Sequence, residues 1–159
     1  LGGMNVAVAA GLSNTMLRQQ AGLDPPLSTK PIVMAGVQNT TPYEQHSIDD
    51  SFIETLSTEE MRSLSDRVTA QMERLSRLVD VIYVHVDLSL LQATEMPNLP
   101  TSPYERLSSQ ELAAFLRGAF SFPKAAALGV AGLPNDAADV SVQAAYRLIE
   151  GAIEGVRNR

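Results

Sequence analysis

The chain has 159 residues, 45% of them hydrophobic, and a formal net charge of −6. Its size and apolar content suffice for one compact domain, whereas its acidity excludes nucleic acid and anionic membranes as expected partners, because both are recognised by clustered Lys and Arg. Cysteine is absent, which excludes disulfides, thiolate catalysis and cysteine metal sites.

The first third of the chain alternates between helix-like and strand-like segments. Residues 5–20 are predicted to form one helix, and a polar loop with prolines follows at 24–31. Short apolar strands are predicted at 32–37 and 52–56. Between them, residues 41–44 (Thr-Pro-Tyr-Glu) have the pattern of a capping box with proline at the first helical position.

The middle of the chain contains a predicted long helix and the most informative strand. Residues 57–60 (Ser-Thr-Glu-Glu) form a second capping-box pattern. Apolar positions then recur with a helical period: Met61, Leu64, Val68, Met72, Leu75 and Leu78. Residues 81–91 are an apolar run that holds a single carboxylate, Asp87. This pattern predicts a buried parallel strand whose carboxyl end brings one charged group to a crevice.

The last third begins with a loop at 93–107 that carries three prolines, and loops of this length are often functional. Residues 108–111 (Ser-Ser-Gln-Glu) predict the start of a helix with Leu112, Phe115, Leu116 and Ala119 turned inward. A small-residue strand is predicted at 125–130. Residues 135–139 lead into a final helix, whose predicted buried face consists of Val140, Ala144, Leu148, Ile149, Ala152 and Val156.

Alternating helices and strands predict an α/β fold, with a parallel sheet covered by helices on both faces. The apolar strand at 81–86 is expected in the middle of the sheet, flanked by the strands at 32–37 and 125–130. No linker divides the chain, so residues 1–159 are predicted to form a single domain. Because a sheet of this kind normally begins with a strand, we expect a partial domain that lacks its N-terminal strands.

Several segments resemble, in order and spacing, the C-terminal portion of the ureohydrolase superfamily, which includes arginases, agmatinases and formimidoylglutamases. Residues 1–5 (Leu-Gly-Gly-Met-Asn) are similar to the family's Leu-His-Gly-Met-Pro, with Gly2 at the histidine position. Residues 35–44 are similar to Gly-Leu-Arg-Asp-x-Asp-Pro-x-Glu. There Asn39 and Thr41 stand at the aspartate positions, whereas Pro42 and Glu44 match.

The resemblance continues through the strand at 81–91 and beyond it. The family strand ends in Ser-x-Asp-x-Asp-x-x-Asp-Pro, and the corresponding positions here are His85, Asp87, Ser89, Gln92 and Ala93. Residues 128–131 (Leu-Gly-Val-Ala) lie where the family has Met-Glu-Val-Asn, so Gly129 stands at the position of a catalytic-site glutamate. Further matches are Pro97, Thr101, Leu107 and Glu111. The resemblance implies a three-layer fold of the arginase/deacetylase type.

The resemblance also implies a chemistry for which this chain lacks most ligands. The family uses two divalent ions about 3.5–4 Å apart to generate hydroxide and polarise a guanidinium carbon, and such a pair needs several carboxylates. Asp87 is the one carboxylate retained at these positions, and Ser89 replaces the next. We therefore predict a degenerate ureohydrolase-like protein that has no dinuclear site in this chain and no cofactor. A binding, regulatory or structural role is expected, in a homo-oligomer or beside a complementary N-terminal fragment or chain.

Two alternatives remain open. The chain is an active hydrolase of linear amidine or guanidino C–N bonds if an absent N-terminal segment or a partner chain supplies the other Mn²⁺ ligands. Alternatively, the crevice binds a small guanidino compound or amine without chemistry. The candidate residues are Asp87 for metal, His85 and Glu44 for catalysis, and Glu44, Asn39 and Thr41 for substrate.

Two of these candidates also have ordinary structural explanations. His85 is expected to be a buried histidine that hydrogen-bonds to a neighbouring loop. Glu44 is expected to serve as the N3 residue of the capping box begun by Thr41, which is compatible with a binding role. His46 is expected to be exposed.

The sequence contains no run of about 18 apolar residues and no basic segment followed by an apolar one near its start. We therefore expect no membrane partner and a cytoplasmic location.

Overall fold

The computed structural model describes residues 4–100 and 102–159. The chain divides into two compact units. One comprises the residues through Met34 together with Thr40–Glu54, and the other comprises Ala35–Asn39 and Thr55–Arg159. No helix in the described residues is both long and apolar enough to cross a membrane.

The first unit contains three helices: α1 (Met4–Ala9), α2 (Thr15–Gln20) and α3 (Pro42–Asp49). The prediction of one helix over 5–20 is wrong, because the chain turns between α1 and α2. Gly11 and Asn14 adopt positive φ angles of 73° and 42°, and the Asn14 side chain accepts a hydrogen bond from the Leu17 amide at 3.2 Å. Asn14 thereby starts a new helix, a common role for asparagine.

Two short strands, β1 (Val33–Ala35) and β2 (Glu54–Leu56), form a two-stranded sheet. Both are shorter than the apolar segments that predicted them. Gly36 follows β1 with a φ of 71°, in the left-handed region that favours glycine. This backbone turn ends the strand at Ala35.

In the second unit, the predicted long helix is two helices, α4 (Thr58–Ser63) and α5 (Asp66–Leu78). Leu64 caps α4 in a left-handed conformation, with a φ of 50°. Its exposed fraction is 46%, whereas Met61 on the same predicted face is buried. Apolar residues are buried on each side of Leu64, but its left-handed conformation interrupts the helix and separates α4 from α5.

The central strand pair is β3 (Ile82–Asp87) and β4 (Ala125–Ala131), which run parallel with His85 opposite Gly129. Pairing of the 81–91 segment with the 125–130 segment is thus confirmed. Flanking by the 32–37 segment is not observed among the described residues, where β1 pairs with β2.

The prediction that β3 is buried on both faces is wrong for the described chain. Ile82 and Val86 are buried, whereas Tyr83, His85 and Asp87 are exposed. Burial alternates because successive side chains of a strand point to opposite faces, and only one face of β3 packs against the described chain.

Two long helices, α6 (Ser109–Phe120) and α7 (Asp139–Arg157), pack against each other. All four predicted inward residues of α6 are buried: Leu112, Phe115, Leu116 and Ala119. The predicted buried face of α7 is confirmed for three of its six residues and wrong for the other three. Ala144, Leu148 and Ala152 are buried, but Val140, Ile149 and Val156 are exposed.

Small residues on α7 explain which of its faces is buried. Ser141, Gly151 and Gly155 face inward. A Cβ at Gly151 would lie 2.5 Å from the Ala113 carbonyl oxygen of α6. The two helices approach so closely that glycine, not a branched side chain, occupies the contact.

Candidate functional site

Asp87 ends β3 and begins a single 3₁₀ turn, Leu88–Leu90. Its Oδ1 atom accepts a hydrogen bond from the Ser89 amide at 2.9 Å. The backbone just after β4 approaches the same carboxylate at Gly132, where a Cβ would lie 2.7 Å from Oδ1. Asp87 is thus an exposed strand-end carboxylate in a local cap, at the carboxyl edge where α/β sheets bind ligands.

Tyr83 and His85 precede Asp87 on the same face of β3, since alternate residues of a strand share a face. The Tyr83 hydroxyl lies 3.1 Å from His85 Nδ1. Both side chains are exposed, so the expectation of a buried His85 bonded to a neighbouring loop is wrong. The hydrogen-bond partner belongs to the same strand, two residues earlier.

The Tyr83 hydroxyl also lies over Gly129 of β4, in the place where a Cβ at position 129 would be. A side chain at 129 and the present position of Tyr83 therefore exclude each other. The phenol fills the space that a longer residue would need. This role of Tyr83 is not evident from the sequence, because the contact crosses between two strands.

Asn39 belongs to a loop that is tied to another loop of the second unit. Its φ is 59°, and its Oδ1 atom accepts a hydrogen bond from the Tyr104 hydroxyl at 3.1 Å. The Gln38 side-chain amide donates to the Glu105 carbonyl oxygen. These contacts give Asn39 a structural role in joining residues 38–39 to residues 104–105.

Thr41 and Glu44 lie together in the first unit, at the start of α3. The Glu44 carboxylate accepts hydrogen bonds from the Thr41 amide at 2.7 Å and the Thr41 hydroxyl at 2.8 Å. These bonds, the backbone one foremost, lower the pKa of Glu44 below its ordinary value. The predicted capping role of Glu44 is confirmed. Its predicted role in substrate binding, like that of Thr41 and Asn39, stays a prediction.

His46 is exposed on α3, as predicted, and its Nε2 atom lies 3.1 Å from an oxygen of Asp50. Gly2, the position of the family's histidine, and Thr101 lie outside the described residues.

The donor set at the end of β3 does not fit a pair of divalent ions. Within residues 4–100 and 102–159, no group of three or more His, Asp or Glu side chains is placed to hold a metal. Asp87 contributes one carboxylate, and one of its oxygens already accepts from a backbone amide. A dinuclear centre requires several anionic ligands to offset four positive charges.

A polar cluster around the buried Ser109 was not expected from the sequence. Glu95 accepts hydrogen bonds from both the amide and the hydroxyl of Ser109, and Arg147 of α7 lies 3.6 Å from the same carboxylate. Ser109 is fully buried. Glu95 thereby joins the proline-containing loop to α6 and α7. The only indication in the sequence that Glu95 has a role is its position in the long loop at 93–107.

Comparison with known proteins places this geometry in a recognised fold. No model of a known protein family matches the chain. No curated protein sequence matches it either. Its structure is similar to those of arginase from Bacillus subtilis (TM-score 0.81, 19% identity, 95% of this chain and 54% of that one) and of formimidoylglutamase from the same organism (0.70, 16%, 90% and 46%). It is also similar to that of proclavaminate amidino hydrolase from Streptomyces clavuligerus (0.61, 17%, 88% and 46%).

These similarities show the fold: the chain has the α/β architecture seen in arginase and formimidoylglutamase, as predicted. The chain spans about half the length of the proteins it matches.

Proposed function

We propose that this chain is a ureohydrolase-like scaffold that has lost the dinuclear metal site from its own residues and serves a binding, regulatory or structural role. The observation that carries the proposal is the exchange at Gly129. The position that resembles the family's catalytic-site glutamate has no side chain, and the Tyr83 hydroxyl occupies the adjoining space.

The surroundings of Asp87 support the same proposal. The residue at the next ligand position is Ser89, whose hydroxyl is neutral and a poorer partner for Mn²⁺ than a carboxylate. Its amide donates to Asp87 instead. One carboxylate in a backbone cap is a stable arrangement without any metal, because the amide satisfies part of its charge.

Metal analysis tests this proposal directly. The 159-residue chain is loaded with excess Mn²⁺, dialysed and measured by elemental analysis. We expect well under one equivalent, whereas about two equivalents per chain, the content of a dinuclear site, would overturn the proposal. Asp87→Asn is compared with Asp80→Asn, because Asp80 is a fully exposed carboxylate. Equal residual Mn²⁺ in both variants is the expected result.

The alternative activity has its own assay. Hydrolysis of arginine, agmatine or a related guanidino compound is measured in the presence of Mn²⁺. We expect none above that of a buffer blank. Activity that disappears in Asp87→Asn and survives in Asp80→Asn would instead establish a hydrolase whose remaining ligands come from elsewhere.

A further inference from the structure

One side of the last helix, α7, carries an apolar stripe that remains exposed. Its residues recur at alternating steps of four and three, the spacing of a helix that packs along another helix: Val142, Tyr146, Ile149, Ile153 and Val156. Val142 is half-buried, and the other four are 39–58% exposed. Among the described elements, only α6 packs extensively against α7, and the stripe lies about a third of a turn away from that contact.

The borders of the stripe suit a second helix. Ala145 and Ala152 lie one heptad apart on the side nearer the core, where small side chains permit a close approach between helices. Gln143 and Glu150 border the stripe on the solvent side, and both are exposed. An apolar seam with polar borders is the pattern of a helix that buries this seam against a helical partner.

The charges at the two ends of α7 indicate which helix that partner is. Asp139 begins the 19-residue helix and Arg157 ends it, and both are exposed. They are about five turns apart, so they lie on the same side of the helix, next to the stripe. Among the described residues, Glu154 of α7 pairs with Arg117 of α6, whereas no ion pair involves Asp139 or Arg157.

We propose that the stripe pairs with the same stripe of a second copy of this chain, with the two α7 helices antiparallel. A two-fold axis near the middle of α7 brings Tyr146 of each copy against Ile149 of the other. The same axis brings Asp139 of each copy beside Arg157 of the other. A parallel pair would instead place like charges together at both ends, which disfavours it. The surface is thus self-complementary in one orientation.

Sedimentation velocity tests the stripe, with a matched pair of variants in the same helix. All chains carry Val81→Lys, because a charge beside the unpaired edge of β3 opposes association through strand pairing. We expect this parent chain to form a dimer of twice 17.1 kDa between about 5 and about 200 µM. Ile149→Glu should weaken the dimer at least about tenfold, because it buries an unpaired charge. Val140→Glu changes a similarly exposed residue on the other side of α7 and should leave the dimer unchanged.

Charge reversal tests the orientation. Asp139→Arg and Arg157→Asp each place like charges together at both ends of the antiparallel pair. At low ionic strength, where screening is weak, each should weaken the dimer at least about threefold. The double variant restores both opposite-charge pairs and should dimerise within about twofold of the parent chain. Effects on the helix dipole would add in the double variant, so recovery distinguishes pairing between copies from a change within one helix.

Three outcomes would overturn this inference. The first is a parent chain that is folded by circular dichroism and monomeric at every concentration. The second is the same dissociation constant for Ile149→Glu and Val140→Glu, which would place the contact elsewhere. The third is a double variant that dimerises no better than either single charge reversal. If Ile149→Glu does not fold, the charge variants decide, because they change only exposed helix ends. The metal content of the Asp87 site has no bearing on these outcomes.

Discussion

Tyr83 illustrates how one side chain determines which groups the exposed face of a strand presents. Its hydroxyl lies over Gly129 and bonds to His85 on its own strand. The result is an exposed polar row of Tyr83 and His85 that ends at one carboxylate, Asp87. Such a row suits hydrogen bonding to a polar ligand or partner better than it suits metal binding.

The first prediction at this scale concerns Asp87. Its observed role is one charged hydrogen bond to the Ser89 amide, and asparagine is also a good capping residue. We therefore expect Asp87→Asn to lower the free energy of unfolding by no more than about 1–2 kcal/mol, measured by urea denaturation. Asp80→Asn, which removes an exposed carboxylate, should change it by less than about 0.5 kcal/mol. A loss above about 3 kcal/mol for Asp87→Asn would mean that the carboxylate has a buried role.

The second prediction concerns pH. Hydrogen bonds from the Ser108 backbone foremost, then from the Ser108 hydroxyl and Arg62, lower the pKa of Glu111 below its ordinary value near 4.5. A carboxyl whose pKa is lower when folded contributes stability above its unfolded pKa, and this stability is lost as pH falls through the folded pKa. Urea denaturation at pH values below about 4.5 should therefore show that the free energy of unfolding falls less steeply with decreasing pH for Glu111→Gln than for the unchanged chain.

The control for this experiment is Glu150→Gln, at an exposed position of α7. It should keep the pH dependence of the unchanged chain. If the free energy of unfolding depended on acidic pH in the same way in all three proteins, the stability assigned to the Ser108–Glu111 capping box would be refuted.

At the scale of elements, the α6–α7 contact is governed by glycines. A Cβ at Gly155 would lie 2.9 Å from Phe120 Cβ and would also meet the Arg117 carbonyl oxygen, whereas nothing lies within 4 Å of a Cβ at Gly118. Both glycines are helical, so helix propensity favours alanine at each by about 1 kcal/mol. Any difference in stability between alanine substitutions at the two positions must therefore come from packing.

We expect Gly118→Ala to raise the free energy of unfolding by about 0.5–1 kcal/mol. Gly155→Ala should lower it by about 1–3 kcal/mol, because the helices must move apart to admit the methyl group. Chemical denaturation of both variants measures the difference. Equal stabilisation by the two substitutions would show that the helices are not in close contact at Gly155.

At the scale of the whole molecule, β3 has an unsatisfied edge. It pairs with β4 on one side, and among the described residues no strand pairs with its other side. Val81 and Tyr83 are both 60% exposed, and an exposed apolar edge strand is a template for pairing with another strand. We propose that this edge is covered by a further segment, a second chain or another copy of this chain.

Sedimentation velocity tests this proposal on the 159-residue chain. We expect a concentration-dependent species heavier than the 17.1 kDa monomer, because copies pair through the open edge. Val81→Lys should shift the distribution toward the monomer, since charge at an edge opposes strand pairing. Leu27→Lys, at an exposed position of the first unit, serves as the control. A soluble monomer with a cooperative melt at every concentration would refute the proposal.

The sequence by itself determined the features that depend on neighbouring residues. Capping boxes begin helices at Thr41, Ser57 and Ser108 as predicted, because each involves atoms only three residues apart. The order of helices and strands and the family resemblance were enough to identify the fold, since alternation of this kind has few topological solutions. One carboxylate, Asp87, was also correctly placed at the end of its strand.

Tertiary structure decided the features in which distant residues compete for one space. Periodicity predicted one apolar face for α7, but the close approach of α6 selects for burial the face that carries Gly151 and Gly155. Leu64 fits the apolar period of its region, yet a left-handed turn ends the helix there. The overlap of Tyr83 with Gly129 likewise depends on a contact between separate elements. Short-range patterns carry no information about these contacts, because they reflect which element packs against which, not what each residue prefers.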